Sequence, residues 1–210
     1  MIQYKTVAKE AQAEQIIDKS RFIAYVKHVE SKEEADAFIA SIRAMHKTAT
    51  HNVPAFVIGD QFQLQWASDD GEPQGTSGAP MVQMLVKEGI TNVCIVVTRY
   101  FGGIKLGTGG LVRAYTSSAK LGLEASGICE MKEMAVMQFK VDYSFLSKIQ
   151  NLAQGGKFSI EDIVYEADVT LKIVSEIEDA DEVKSMFTNL TSATARLVSE
   201  TTELTKKALA

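Results

Sequence analysis

Apolar and polar positions along the chain follow two periods, and their succession lays out two α+β patterns, one after the other. In the first, SRFIAYVKHV (20–29) alternates so that Phe22, Ala24 and Val26 share one face of a strand. Ser31 and Glu34 then make a capping box, and Ala35, Phe38, Ile39, Ile42 and Met45 recur at helical spacing to about Lys47. VPAFVI and QFQLQW read as strands joined by a tight turn at Gly59-Asp60, the second with Phe62, Leu64 and Trp66 on its buried side. Pro80 to Glu88 predicts a helix, capped by Thr76 or Ser77 and stopped by Gly89. Val93 to Thr98 is an unbroken run of apolar and β-branched residues, the mark of a buried strand. A long helix follows through Leu111, Val112, Tyr115, Ala119 and Gly122 to about Gly127, with small residues that let it lie close to a sheet. Residues 1–19 stay open between a helix, from the composition of AKEAQAEQII, and a polar edge strand, from its alternation.

The pattern restarts near residues 130–133. AVMQFKV is a strand, and Phe145, Leu146, Ile149, Leu152 and Ala153 form a helix ended by Gly155-Gly156. KFSIEDIVYE and DVTLKIVSEI are a strand pair. Asp179 and Glu182 open a helix carrying Val183, Met186, Phe187 and Leu190, and RLVSETTEL closes as a strand. That order, βαββαβ, is the ferredoxin-like unit. The expected fold class is α+β in two domains, residues 1–132 and 133–210.

Composition narrows the function. The 210 residues are 46% apolar, enough for packed cores, and no apolar run approaches the ~18 residues of a membrane span. The opening MIQYKTVAKE lacks the apolar core of a signal peptide, so a cytoplasmic protein with no membrane partner is expected. Cys94 and Cys129 form neither a disulfide framework nor a metal cluster. The net charge of -5 is uneven: residues 1–132 carry 14 basic and 14 acidic groups, residues 133–210 carry 8 and 13. A polyanion would therefore have to meet a local basic surface of the first part.

Such a surface is offered by the second of two glycine loops. Arg99, Tyr100, Gly102, Gly103, Lys105, Gly107, Gly109, Gly110 and Arg113 lie between the buried strand and a helix start, where free N–H groups and the helix dipole favour an anion. The loop has no Gly-Lys-Ser/Thr and no strict GxGxxG, and its glycines also serve positive φ and close packing. Tyr100 and Phe101 at the strand exit are a candidate stacking platform for a base, one of the two packing inward. In the first loop Asp69, Asp70 and Glu72 cluster beside Thr76 and Ser77, a set able to hold magnesium or to remain solvated. His51, next to Asn52 at a strand start, is a candidate proton carrier. No nucleophile is marked, and no resident cofactor is expected.

Together, HNVPAF, DDGEPQGTSGAP and VVTRYFGGIKLGTGGLVRAY resemble the IMPACT family in its bacterial, YigZ-type form. The motifs cover about residues 20–130; the tail matches by pattern and position. Val53-Pro54 departs from the more aromatic residues often found after His-Asn. The resemblance implies a first domain like the second domain of a small-subunit ribosomal protein, a sheet packed with two helices, and a tail like the last domain of elongation factor G. It also implies strand within residues 1–19. Eukaryotic relatives regulate translation by competing for a partner of the kinase that senses amino-acid starvation, through a chain with a different extra domain, so that partner is not carried over. The expected function is a translation-linked binding protein that engages RNA, the ribosome or a nucleotide. The alternatives are a magnesium-dependent enzyme on a phosphorylated or nucleotide substrate, with Asp69, Asp70 and Glu72 on the metal and His51 moving protons, and a protein–protein assembly module.

Overall fold

Strand pairing decides what composition leaves open at the start of the chain. A computed structural model describes residues 2–208, and in it β1 (Ile2–Val7) and β2 (Ala11–Ile17) are both strands. β2 pairs antiparallel with β3 (Ser20–His28), from Ala11 opposite Val26 to Ile17 opposite Ser20. Asp18 (φ 44°) and Lys19 (φ 65°) form the connecting turn, the left-handed pair that a two-residue hairpin loop requires. The helix-favouring residues are thus held extended by a ladder of hydrogen bonds.

The chain separates into two compact units, Ile2–Met131 with the end of the last strand from Lys206, and Lys132–Thr205. In the first, β4 (His51–Ile58), β5 (Leu64–Ala67) and β6 (Val93–Tyr100) join β2 and β3 in the order β2-β3-β6-β4-β5, antiparallel throughout. β6 is central and buried from Val93 to Arg99, as its unbroken apolar run demands. Helix α1 (Lys32–Met45) covers one face through Phe38, Ile39 and Ile42, against Ile23, Phe56, Cys94 and Val96. Helices α2 (Gly78–Glu88) and α3 (Gly107–Ser126) cover the other, with Met81, Leu85, Tyr115 and Ala119 against Phe22, Ala24, Ile95 and Val97. Three helices therefore pack on this sheet, where the resemblance implied two; α1 is the one on the opposite face.

Local chemistry explains other departures. The Ser31 hydroxyl caps α1 by accepting from the Glu34 amide at 3.2 Å, but the Glu34 carboxylate reaches back to the Glu30 amide, at 2.9 Å. Gly59 does not close a two-residue turn: Phe62 (φ 60°) lies inside the connection and packs on the core, so β5 starts at Leu64. Trp66, expected on a packed face, is 42% exposed and stacks on Phe56 at 5.4 Å. Neither Ser77 nor Asp179 makes the side-chain cap expected of it.

The second unit has the element order β7 (Ile128–Val141), α4 (Leu146–Ala153), β8 (Phe158–Tyr165), β9 (Val169–Glu176), α5 (Ala180–Leu190), β10 (Arg196–Ala208). β9 lies between β7 and β8, and β10 pairs with β7. Ile149, Val183 and Phe187 from the helices cluster with Met137, Phe139, Leu171 and Ile173 from the strands, with Phe139 and Phe187 stacked at 4.1 Å.

Candidate functional site

The candidate site is built at the exit of β6, where the two glycine loops converge. Gly102 sits so tightly against the turn after β2 that a Cβ there would lie 2.0 Å from the Lys19 carbonyl oxygen, so only glycine permits this path. Gly103 (φ 87°) and Gly107 (φ 71°) then turn the chain into α3 through a left-handed conformation. Leu106 precedes the helix and supplies no side-chain cap, which leaves the first-turn amides from Gly107 onward without that partner.

Beneath the loop, Arg99 is 4% exposed. Its Nη1 donates to Glu72 Oε1 at 2.7 Å, and Nη2 donates to Ser20 Oγ at 3.3 Å. The Tyr115 hydroxyl, from α3, donates to the same Glu72 oxygen at 2.7 Å. Burial and the Glu72 hydrogen bond push the Tyr115 phenol well above its ordinary range, which keeps it a donor. The guanidinium also lies 5.3 Å from the Phe22 ring centre and 5.4 Å from that of Phe101. Its Nε has no acceptor among the described residues. A buried charge-assisted donor without an acceptor is costly, by about 1–3 kcal/mol or more.

His51 opposes Arg99 across β4 and β6. Its Nδ1 is 2.8 Å from the Asp70 carbonyl oxygen, and because a carbonyl only accepts, Nδ1 carries the hydrogen. In the neutral ring Nε2 is then an acceptor, 3.7 Å from Glu72 Oε1. His51, Glu72, Arg99, Lys105, Gly107 and Phe101 line one cleft of about 430 Å³, with Thr50, Pro73, Leu106, Thr108 and Leu111. Phe101 is 46% exposed, and its amide is fixed by the Thr50 hydroxyl at 3.0 Å.

Other residues singled out in the sequence lie away from the cleft. Asp69 is turned into the first loop: Oδ1 accepts from Ser77 N, Ser77 Oγ and Gly78 N at 3.2, 2.7 and 2.9 Å, and Oδ2 from Gly75 N at 2.8 Å. Burial raises this carboxyl, but those donors outweigh it and hold Asp69 below the ordinary carboxylate range. Asp69 is the cap of α2 that Ser77 is not. Asp70 accepts from the Asn52 amide at 2.7 Å and from Arg43 at 3.2 Å, and the Thr76 hydroxyl is held by the Pro73 carbonyl at 2.6 Å. The three carboxylates thus point to three different sets of donors, and among the described residues no group of three or more His, Cys, Asp or Glu is placed to hold a metal ion. Tyr100 turns to the α1 side, where its hydroxyl and that of Tyr25 flank His46 at 2.8 and 2.6 Å. Burial lowers the His46 pKa and raises that of Tyr25. Gly109 and Gly110 occupy the first turn of α3, and Arg113 is exposed one turn on.

Sequence reasoning left Tyr115, Ser20 and Thr50 out of the site. Tyr115 stands 43 positions from Glu72 and reads as a core aromatic on its helical face, so no local signal pairs it with a carboxylate.

The cleft and its sheet define a mixed α+β protein with an anion-ready helix start over a buried carboxylate–guanidinium pair. The family described as the Impact N-terminal domain matches residues 18–123, the whole of the cleft, and a domain of unknown function (DUF1949) matches residues 139–194. IMPACT family member YvyE of Bacillus subtilis (strain 168) is 42% identical, over 90% of this chain and 87% of its own length. IMPACT family member YigZ of Escherichia coli (strain K12) is 38% identical, over 75% of this chain and 78% of its own. A solved structure described as a hypothetical protein superposes with a TM-score of 0.59 at 32% identity, over 94% of this chain and 97% of its own. This chain belongs to the IMPACT family. No helix among the described residues is long and apolar enough to cross a membrane.

Proposed function

We propose that this chain is a translation-linked binding protein whose first unit takes a phosphate of RNA, of the ribosome or of a nucleotide in the cleft between the two glycine loops. One observation carries the reading: the uncapped start of α3, the Lys105 side chain and the buried Arg99, whose Nε lacks an acceptor, meet in a single cleft. Helix-start amides and a cation at one place are the chemistry of phosphate recognition. The link to translation rests on the resemblance to eukaryotic IMPACT proteins. With it goes the finer fold reading: a ribosomal-protein-like first unit and a ferredoxin-like second unit similar to the last domain of elongation factor G.

Lys105→Glu is the test, because Lys105 is exposed and its replacement leaves the buried pair intact. RNA or ribosome binding is measured across a salt series. The variant is expected to bind about tenfold or more weakly and to lose about one unit of salt slope. Unchanged affinity and slope overturn the reading.

One observation favours the enzyme as a second reading, since His51 Nε2 faces Glu72 inside the same cleft. On this reading His51 moves protons on a bound phosphate ester, while Asp69 and Asp70 would have to leave their present donors to reach magnesium. Nucleotide turnover with magnesium, lost in His51→Asn at unchanged fold, distinguishes it.

A further inference from the structure

The buried pair on the floor of the cleft leaves one oxygen unclaimed. Glu72 accepts from Arg99 Nη1 and from the Tyr115 hydroxyl at a single atom, Oε1, each at 2.7 Å. Among the described residues no donor reaches Oε2. The Glu72 side chain is 4% exposed, yet Oε2, unlike Arg99 Nε, is not sealed from solvent, and Glu72 lines the cleft. An unclaimed carboxylate oxygen in so dry a setting asks for a hydrogen-bond donor from whatever fills the cleft.

The surroundings select the kind of donor. Lys105, the uncapped start of α3 and the buried Arg99, with its unpartnered Nε, belong to the same cleft. An ammonium group would meet like charge there, and a second anion would meet Glu72; a neutral hydroxyl bears neither cost. It needs one acceptor, and Glu72 supplies that whatever the charge of His51, whose Nε2 lies 3.7 Å from Glu72 Oε1. Ribose in RNA carries such a hydroxyl on the carbon next to its 3′-phosphate, and deoxyribose lacks it. A carboxylate on the ribose 2′-hydroxyl, with phosphate at a helix start, is also how dinucleotide-binding folds divide the work. A volume of about 430 Å³ lies within the range of small-ligand pockets, about 300–1,000 Å³.

Resting on the phosphate reading above, we infer that the ligand is a ribonucleotide whose 2′-hydroxyl donates to Glu72 Oε2 and whose phosphate sits at Lys105 and the start of α3, so that the cleft prefers RNA to DNA. The chemistry is shared by an unpaired stretch of RNA and by a free ribonucleotide.

Calorimetric titration of the intact chain with tetrauridylate made as RNA, as 2′-fluoro RNA and as deoxyuridine DNA tests this with no change to the protein. RNA is expected to bind about tenfold more tightly than either of the others, the loss of one hydrogen bond to a charged group. The 2′-fluoro form keeps a ribose-like ring but cannot donate, so its binding as tightly as RNA overturns the hydroxyl contact. In Glu72→Gln the readout is the RNA-to-DNA ratio, which a loss shared by both ligands does not move. That ratio is expected to fall to about threefold or less, as a charged acceptor becomes a neutral amide, and an unchanged ratio overturns the assignment to Glu72. Uridine 3′-monophosphate separates the sources: tighter binding of the RNA tetramer names RNA, and equal or tighter binding of the monomer names the free ribonucleotide. Equal affinity for RNA and DNA, both weakened by Lys105→Glu, overturns the hydroxyl inference and leaves the phosphate site standing, whereas no binding of any of these probes overturns both.

Discussion

Replacing Glu72 by glutamine separates charge from shape at the floor of the cleft. The side chains of Glu72 and Arg99 are 4% and 5% exposed, so the pair is effectively out of water. Glutamine retains an acceptor for Arg99 Nη1 and for the Tyr115 hydroxyl but removes the compensating charge, and the guanidinium, already short of one acceptor at Nε, stays buried. Breaking one side of a buried pair costs about 3–5 kcal/mol, and the retained acceptor places Glu72→Gln near the lower end. With a urea slope of about 2 kcal/mol per molar, the unfolding midpoint should fall by about 1.5 M. Trp66 is the single tryptophan and lies in the first unit, stacked on Phe56, so its fluorescence follows that unit. Adding Arg99→Met to Glu72→Gln removes the stranded charge and should restore at least half of the loss, a coupling read by the double-mutant cycle. A midpoint shift below about 0.3 M for the single variant, or no recovery in the double, would refute the claim that the pair is desolvated.

Three further outcomes follow from the same geometry. Asp69 is held below the ordinary carboxylate range, so its stabilisation is complete above that range, about pH 4, and is lost as pH falls through its lower folded value; Asp69→Asn should flatten the acid limb of Trp66-monitored stability. Gly102→Ala places a Cβ 2.0 Å from the Lys19 carbonyl oxygen and 2.6 Å from the Ser20 amide nitrogen, backbone that cannot yield, and should cost about 1–3 kcal/mol or more in the same assay. Cys94 is fully buried in β6 and burial raises its thiol pKa far above normal, so an aromatic disulfide reagent at pH 8 should leave it unmodified until the first unit unfolds.

Much of the frame is legible in the sequence because it is local. Val93 to Thr98 reads as a buried strand and becomes the central strand of its sheet, and Ser31 caps α1 by the bond that its spacing to Glu34 suggests. Residues 11–17 are only half legible: their composition suits a helix, their alternation and the family resemblance suit a strand, and the pairing with β3, through the left-handed Asp18 and Lys19, is what decides for the strand. The cleft divides in the same way. Glycines and basic residues between a strand and a helix mark an anion-ready turn, but Glu72 lies 27 positions from Arg99 and 43 from Tyr115, and no pattern in the chain pairs them. The acidic cluster shows why composition alone misleads: three carboxylates within four positions face three separate partners, a helix start, a strand amide and a buried guanidinium.

The most direct measurement is a nitrogen–proton correlation spectrum of the labelled protein titrated with a 5′-phosphorylated RNA dinucleotide. Saturable shifts of the Gly107 and Thr108 amides are expected, with the Arg99 Nε–H moving alongside, because both residues line the cleft at a helix start without a side-chain cap and the Arg99 guanidinium lies at its floor. Shifts confined to other surfaces, with those three signals unmoved at saturation, would contradict phosphate recognition by this cleft.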